Sequence, residues 1–470
     1  MDRLTSIDAS FLAQEKEGSH MHIGAVMLFE GPGPSHEEFC AQISERLHLV
    51  PRYRQKLSFP RFQMGRPLWI DDPTFNLDYH VRHTSLPEPG STDQLRRLAG
   101  RIFSQRLDRT KPLWEIWIVE GLDDGRFALI NKTHHSLVDG VSGVDLTTVL
   151  FDLDRTGGEV PKPEREWTPG PEPSDAEVVA KGVRELAGVP FRLGERALRA
   201  ATDPARTVGK LRETAEGTGE VIWGTVAKAP ESPLNQEIGT HRRIAWVDAD
   251  LAELKEIKNA LGGTVNDVFL AAVSGALQRF LRDRGVRTEG LELRGAVPVS
   301  VRAEDEQGVL GNKITIMIGR LPTHLEDPVE RLRRVSAQMR DLKESKQAIG
   351  AETIARLEDF APPNILARSS RLHFSTRLYN LLVTNVPGPQ FPLYLRGREL
   401  EEMIPVAFLA PNQALAIAIF SYNGRVKIGL IGDYDLLPDI DELGEHVRES
   451  IAELLEAARS GTGAAETAPA

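Results

Sequence analysis

Between Arg126 and Leu153 the chain reads RFALINKTHHSLVDGVSGVDLTTVLFDL. Phe127, Leu129 and Asn131 alternate with Ala128, Ile130 and Lys132 in a mostly apolar run, the pattern of a buried strand that arrives at two histidines. Trp114 to Val119, followed by GLDDG, predicts its hairpin partner. Ser142 with Asp145 three residues on has the spacing of a capping pair and opens a helix through Leu146, Val149 and Leu150. HHSLVDG, His134 to Gly140, is therefore expected at a strand-to-helix turn.

The second half carries equally clear periodicity. Asp250 caps a helix through Leu254, Ile257 and Leu261 that Gly262 ends. Thr264 caps another, whose apolar positions Val265, Val268, Phe269, Ala272, Val273, Ala276, Leu277, Phe280 and Leu281 follow helical spacing, so Asn266 and Asp267 fall in its first turn. Asn385-Val386-Pro387-Gly388-Pro389 leaves a strand through a rigid loop, and Asn423-Gly424 marks a hairpin turn. Strands interrupted by helices in both halves predict a mixed α/β fold.

PKPEREWTPGPEPSD, Pro161 to Asp175, concentrates proline and charge as an exposed linker does. The expected organisation is an N-terminal domain over 1–155, a linker region over 156–239, a C-terminal domain over 240–459 and a disordered tail over 460–470. Within the linker region, 176–212 reads as helical and partly basic, broken at Pro190 and Pro204.

At 470 residues the chain exceeds what one hydrophobic core usually serves, and 41% hydrophobic with 27% charged residues is ordinary globular composition. Its 57 basic and 68 acidic residues give a net charge of −11, which disfavours nucleic acid as a partner. The single cysteine, Cys40, sits in a helical pattern beginning near Pro34 and reads as a packing residue. The first twenty residues carry Asp, Glu and Lys where a signal peptide needs an apolar stretch, and no run approaches the ~20 apolar residues of a spanning helix. A cytoplasmic protein with at most peripheral membrane contact is the expectation.

The chemistry concentrates at the histidines. Neighbours on an extended strand face opposite ways, so one imidazole works on substrate while the other supports it. An imidazole titrating near neutrality suits removal of a hydroxyl proton as that oxygen attacks a thioester. Asp139 can fix the turn by pairing with an arginine, and Gly140 admits close backbone approach. Two histidines satisfied within a core turn would show the same spacing. Asp267, at a helix N-terminus, suits a capping box, whereas the Asn266 amide beside that positive end can donate to an oxyanion. Pro112 and Trp114 open the strand beneath the histidines and read as scaffold or plain packing. There is no GxSxG, HExxH, GxGxxG or P-loop, so neither a hydrolase serine, a zincin metal nor a nucleotide cofactor is indicated.

With HHSLVDG in place, the chain resembles the bacterial wax ester synthase/diacylglycerol acyltransferase family of the coenzyme A-dependent acyltransferases, whose mark is HHxxxDG. The likeness extends through LTSIDASFL, MHIG, PLWEIWIVEGL, GTVNDVFLAAVSGAL, SVR and GN at Arg302 and Asn312, and NVPGPQFPLYLRG. It implies two chloramphenicol acetyltransferase-like domains, each a mixed sheet with helices, enclosing an active-site tunnel at their interface. His135 would accept the hydroxyl proton while His134 and Asp139 hold the loop. Gly140, Asp267, Pro112, Trp114, Arg302, Asn312, Asn385 and Pro387 would support the motifs or line the tunnel.

The implied activity is transfer from acyl-CoA to diacylglycerol or a long-chain alcohol in a ternary complex. It needs no cofactor beyond the coenzyme A thioester substrate, and the chain would work at a membrane or lipid-droplet surface. A condensation-type transferase using carrier-protein thioesters and a catalytically idle lipid-droplet coat are the alternatives.

Overall fold

A computed structural model describes residues 2–59, 66–137, 149–163, 165–174, 177, 228–300, 314–344 and 378–461. In chain order the N-terminal half contains β1 (Asp2–Arg3), α1 (Ser6–Gln14), β2 (His22–Phe29), α2 (His36–Arg46), β3 (Gln55–Ser58), β4 (Leu68–Asp71), α3 (Leu77–His80), β5 (Val81–Ser85), α4 (Thr92–Ser104), β6 (Trp114–Glu120) and β7 (Phe127–His134). The C-terminal half contains β8 (Arg242–Asp250), α5 (Leu251–Leu261), α6 (Val265–Asp283), β9 (Leu293–Ser300), β10 (Ile314–Leu321), α7 (Pro328–Glu344), β11 (Leu381–Pro387), β12 (Tyr394–Leu395), β13 (Arg398–Val406), β14 (Leu415–Tyr422), β15 (Arg425–Asp433) and α8 (Ile440–Arg459).

Two six-stranded sheets organise the molecule, in the orders β12-β13-β2-β7-β6-β5 and β10-β9-β11-β14-β15-β8; β1, β4 and β3 form a small third sheet. Both large sheets are mixed: β5 runs parallel to β6, and β11 runs parallel to β9 and β14, while the other neighbours are antiparallel. The fold class is thus mixed α/β with two sheet-rich domains. Strand β7 explains its own composition. Phe127 and Leu129 enter one apolar cluster, with Trp114, Ile116 and Ile118, while Ala128 and Ile130 enter the other, on the opposite face. Covered on both sides, such a strand is apolar nearly throughout.

The short-range signals act where the sequence places them. Asp250 accepts from the Ala252 amide at 2.6 Å and Gly262 ends α5 at φ +88°. Asn423 (φ +45°) and Gly424 (φ +80°) turn β14 into β15, the left-handed pair that a two-residue hairpin needs.

The chain division at 240 is not a division in space. β12 and β13, from the C-terminal half, complete the edge of the N-terminal sheet, with β13 antiparallel to β2 from Leu400–Phe29 to Val406–Gly24. One apolar cluster continues across the boundary, from Val26 and Ile130 to Val268 and Ile417. At Gly100 of α4 a Cβ would stand 2.7 Å from the Arg242 carbonyl of β8, so this approach of the halves requires glycine. Residues 142–148 of the expected helix and most of the linker region fall outside the described residues, as does the tail beyond Gly461; Val149 and Leu150 are helical.

No single described helix is long and apolar enough to cross a membrane; α5 and α6 pass such a test only together, bent by 96°. α6 is core structure, with Val268, Ala272, Ala276 and Leu277 fully buried.

Candidate active site

Strand β7 delivers Lys132, His134 and then His135, which begins a short 3-10 turn, His135–Leu137. Lys132 is fully buried, and its Nζ donates to the carbonyls of Ile102 (2.7 Å) and Gln105 (3.0 Å) and meets Glu115 Oε1 at 2.6 Å. It thereby ties the end of α4 to the histidine strand. The backbone N–H of His134 donates to Leu113 O at 3.0 Å, so the Pro112-Leu113-Trp114 segment holds the strand end directly.

His134 is buried and its ring orientation is legible. The Ser136 amide donates to Nδ1 at 3.1 Å, which makes Nδ1 an acceptor and leaves the ring hydrogen on Nε2. That Nε2, buried without a hydrogen-bond partner, stands 3.7 Å from Glu15 Oε2, and the Glu15 side chain is only 2% exposed and paired to Arg109 and Arg106. Burial, followed by the charge of Arg109, lowers the His134 pKa to about 3. A cleft of ≈ 240 Å³ lined by Glu15, Arg106, Leu107 and Arg109 opens beside this carboxylate. His22 stands opposite His134 in the β2–β7 register, with ring centroids 5.9 Å apart, and His20 lies 5.5 Å beyond it. Burial holds both below the usual histidine range, His20 at about 4.

His135 turns away from this polar row. Its half-buried ring stacks on Phe11 of α1 at 4.0 Å and meets the edge of Phe408 at 5.6 Å. Loss of hydration lowers its pKa to about 4, with its own backbone carbonyl pulling slightly the other way. Nδ1 is buried without a hydrogen-bond partner, while among the described residues Nε2 is neither sealed nor bonded. The accessible atom is therefore Nε2. The His135 backbone N–H donates to Met21 O at 3.0 Å, and Met21 sits at φ +51°, fully buried. A left-handed methionine costs roughly 1–2 kcal/mol, held here by its surroundings and aiming one carbonyl at the histidine turn. Ser19 Oγ donates to Leu409 O at 2.6 Å, which fixes the loop carrying Phe408.

The other sequence-predicted residues divide. Asp267 is 4% exposed and closes a capping box with Thr264, its Oδ2 accepting from the Thr264 amide at 2.8 Å. Asn385 Nδ2 donates to Asn266 Oδ1 at 3.2 Å, joining two motifs that lie 119 residues apart. No hydrogen bond links that pair to either histidine among the described residues. Pro112 and Trp114 are buried beneath the site, whereas Pro387 is exposed at the end of β11. Asp139, Gly140, Arg302 and Asn312 lie outside the described residues. Sequence reasoning missed Glu15, Phe11 and Phe408; the one available signal was an acid closely preceding the MHIG motif.

Two mixed sheets with adjoining histidines at a strand end define a class. The first condensation domain of the calcium-dependent antibiotic synthetase shares this fold at TM-score 0.60 and 18% identity, over 97% of this chain and 96% of that one. A nearer likeness is the wax ester synthase/diacylglycerol acyltransferase from Marinobacter aquaeolei VT8, at TM-score 0.66 and 28% identity, over 97% of this chain and all of that one. The wax ester synthase/diacylglycerol acyltransferase catalytic-domain model matches residues 4–269, and the C-terminal domain model of the same family matches 310–455. A Mycobacterium tuberculosis protein named as a probable diacylglycerol O-acyltransferase, tgs1, is 32% identical over 460 residues, covering 97% of this chain and 96% of its own. The tgs2 protein of that organism is 31% identical over 468 residues, covering 97% and 99%. The chain belongs to the wax ester synthase/diacylglycerol acyltransferase family and is an acyltransferase.

The Glu15 carboxylate lies too far from His134 Nε2 for a hydrogen bond and acts on that ring through its charge. Glu15→Gln is expected to lower kcat about tenfold, a loss of about 1.4 kcal/mol, with KM for the acyl donor unchanged. Steady-state acyl transfer measures this; an unaltered kcat would leave Glu15 only its arginine partners.

Proposed function

We propose that the chain transfers a fatty acyl group from acyl-CoA to the hydroxyl of diacylglycerol, forming triacylglycerol, and takes a long-chain alcohol as a second acceptor to form a wax ester. The observation that carries this reading is His135, its Nε2 accessible in an otherwise apolar slot between Phe11 and Phe408. Nε2 takes the acceptor's proton as its oxygen bonds to the thioester carbonyl. Collapse of the tetrahedral intermediate breaks the C–S bond, and the proton passes to the departing thiolate of coenzyme A. The reaction closes without a covalent enzyme intermediate or a further cofactor. A chain of about fifteen methylenes gains roughly 12 kcal/mol on full burial, enough for an apolar channel to dominate substrate binding.

Asn266 is assigned to the oxyanion on this reading. Its Oδ1 is engaged by Asn385, which leaves its amide hydrogens free to donate. Asn266→Ala is expected to lower kcat by about 10²-fold at constant KM. A change confined to KM would make it a binding residue.

Lipid substrates place the chain peripherally at the cytoplasmic face of the inner membrane or on lipid droplets; flotation with phosphatidylglycerol vesicles reads that association directly. The central test offers radiolabelled palmitoyl-CoA with diacylglycerol and hexadecanol together and separates the products by thin-layer chromatography. Labelled triacylglycerol as the main product supports the reading. Turnover only with an acyl carrier-protein thioester, or none with either acceptor, overturns it.

A further inference from the structure

Three large apolar side chains stand exposed at one end of the C-terminal sheet: Leu153 is 74% exposed, Phe391 50% and Val386 49%. Val386 lies opposite Phe420 in the β11–β14 register, one residue short of the end of β11. The loop that follows turns back along the end of β14. There the Asn423 amide donates to Pro389 O at 3.0 Å, Gln390 Nε2 donates to Ser421 Oγ at 3.2 Å, and Gln390 Oε1 accepts from the Gly424 amide at 3.0 Å. The Leu393 amide then donates to the Tyr422 hydroxyl at 2.7 Å. Phe391 sits between these anchors. Leu153 arrives from the other half of the chain, next to Asp152, which exchanges backbone hydrogen bonds with Tyr394 at 2.8 and 2.9 Å and is paired with Arg46 at 2.6 Å. Fixed backbone around the β14–β15 turn thus presents all three side chains to solvent.

We propose that this tip is a docking surface for an uncharged or zwitterionic lipid interface, with Leu153, Val386 and Phe391 inserted among the lipid tails; the inference rests on the lipid acceptor proposed above and names the face that meets it.

Three observations support it. First, apolar side chains gathered on the surface with a polar rim mark an interaction face, and here the backbone that carries them is held by hydrogen bonds, so their exposure is built into the fold. Second, the face is continuous with the candidate site. Asn385 immediately precedes Val386 and donates to Asn266 at 3.2 Å, so at about 3.3 Å per residue the exposed tip begins within one or two strand residues of the group assigned to the oxyanion. An acceptor whose acyl chains stay in the lipid phase has only that short span to cross. Third, the charge selects the kind of lipid. The chain carries −11, which disfavours an anionic surface. Around the tip Arg155 and Arg398 balance Glu30 and Glu399, with Arg155 at 2.6 Å from the first carboxylate and 3.1 Å from the second, and the exposed Arg425 stands opposite Asp250 in the β15–β8 register. Asp154 and Arg396 add one exposed charge of each sign. So nearly neutral a rim neither repels a zwitterionic surface nor needs an anionic one, and apolar insertion carries the attachment.

The experiment floats the full-length chain with phosphatidylcholine vesicles that carry diacylglycerol, and follows labelled triacylglycerol in the same samples. The wild type should float, with a bound fraction that holds from about 0.1 to 1 M salt, where exposed charges are screened. The double variant Leu153→Ser, Phe391→Ser should lose at least about tenfold in vesicle partition, because two side chains no longer leave water. Both positions are half exposed or more, so the variant keeps its core, and circular dichroism checks the fold. Tyr434→Ser is the control. Tyr434 is 44% exposed but follows the far end of β15, about 30 Å from Arg425 along the strand, and its variant should float as the wild type does. A double variant that floats like the wild type, or wild-type binding that salt abolishes, overturns the docking surface. So does a double variant that lowers the sedimentation mass of the free chain, since a second copy would then cover the tip. Flotation lost in the double variant, with no labelled triacylglycerol from a floating wild type, keeps the surface and overturns the acceptor reading instead.

Discussion

His135→Ala should retain the fold and lose roughly 10²- to 10⁴-fold in acyl-transfer rate, the span that a positioned general base supplies. The ring's surroundings make the loss specific. Phe11 and Phe408 cover it with apolar surface, and it contributes no side-chain hydrogen bond to the core, so removing it leaves no polar partner stranded. Measurement is by radiolabelled palmitoyl transfer, with circular dichroism as the fold control; a folded variant that keeps its turnover would remove His135 from the chemistry.

The pH profile sharpens the test. A base must be neutral to work, and desolvation lowers the His135 pKa from 6.5 to about 4. As pH falls, the wild-type kcat/KM should therefore hold through 6.5 and decline only as pH nears 4. A hydrated imidazole would instead lose half its activity at about 6.5. An acid limb centred at the ordinary histidine value would mean that the slot is wet in the free enzyme.

Trp114→Ala should destabilise the protein by about 3–5 kcal/mol, the usual cost of deleting a large buried aromatic. Trp114 is 1% exposed; its Nε1 donates to Tyr53 O at 2.7 Å and its ring stacks on His80 with centroids 4.5 Å apart. The truncation removes that apolar area, opens a cavity and takes away the hydrogen bond to the Tyr53 carbonyl. Because the adjacent Leu113 carbonyl holds the His134 amide, activity should fall along with stability. Trp114→Phe, which keeps a ring and loses the donor, should cost less than half as much. Chemical denaturation measures both; a loss below about 1 kcal/mol for the alanine variant would place the tryptophan at a site that collapses freely.

Much of the local structure was legible because its causes are local. The alternation in FALINK, the Thr264–Asp267 and Asp250 caps, the Gly262 stop and the Asn423-Gly424 turn each depend on a few neighbouring residues. The same range of influence placed His134 at the end of a strand and His135 just beyond it. Motif likeness extended that reading to the family, since ordered short segments along one chain preserve ancestry whatever their contacts.

The partners of those histidines could not be read in this way. Glu15 faces His134 across 119 positions, Phe408 edges His135 across 273, and β13 leaves its own half of the chain to complete the sheet of the other. Such meetings have no periodic signature, because they depend on how two apolar faces fit once every strand has taken its place. The sequence by itself determined the elements, their caps and turns, and the pair of imidazoles at a strand end. Tertiary structure alone decided which imidazole entered the polar row with Glu15 and which entered the aromatic slot: packing selects among distant faces, while backbone propensity acts only between neighbours.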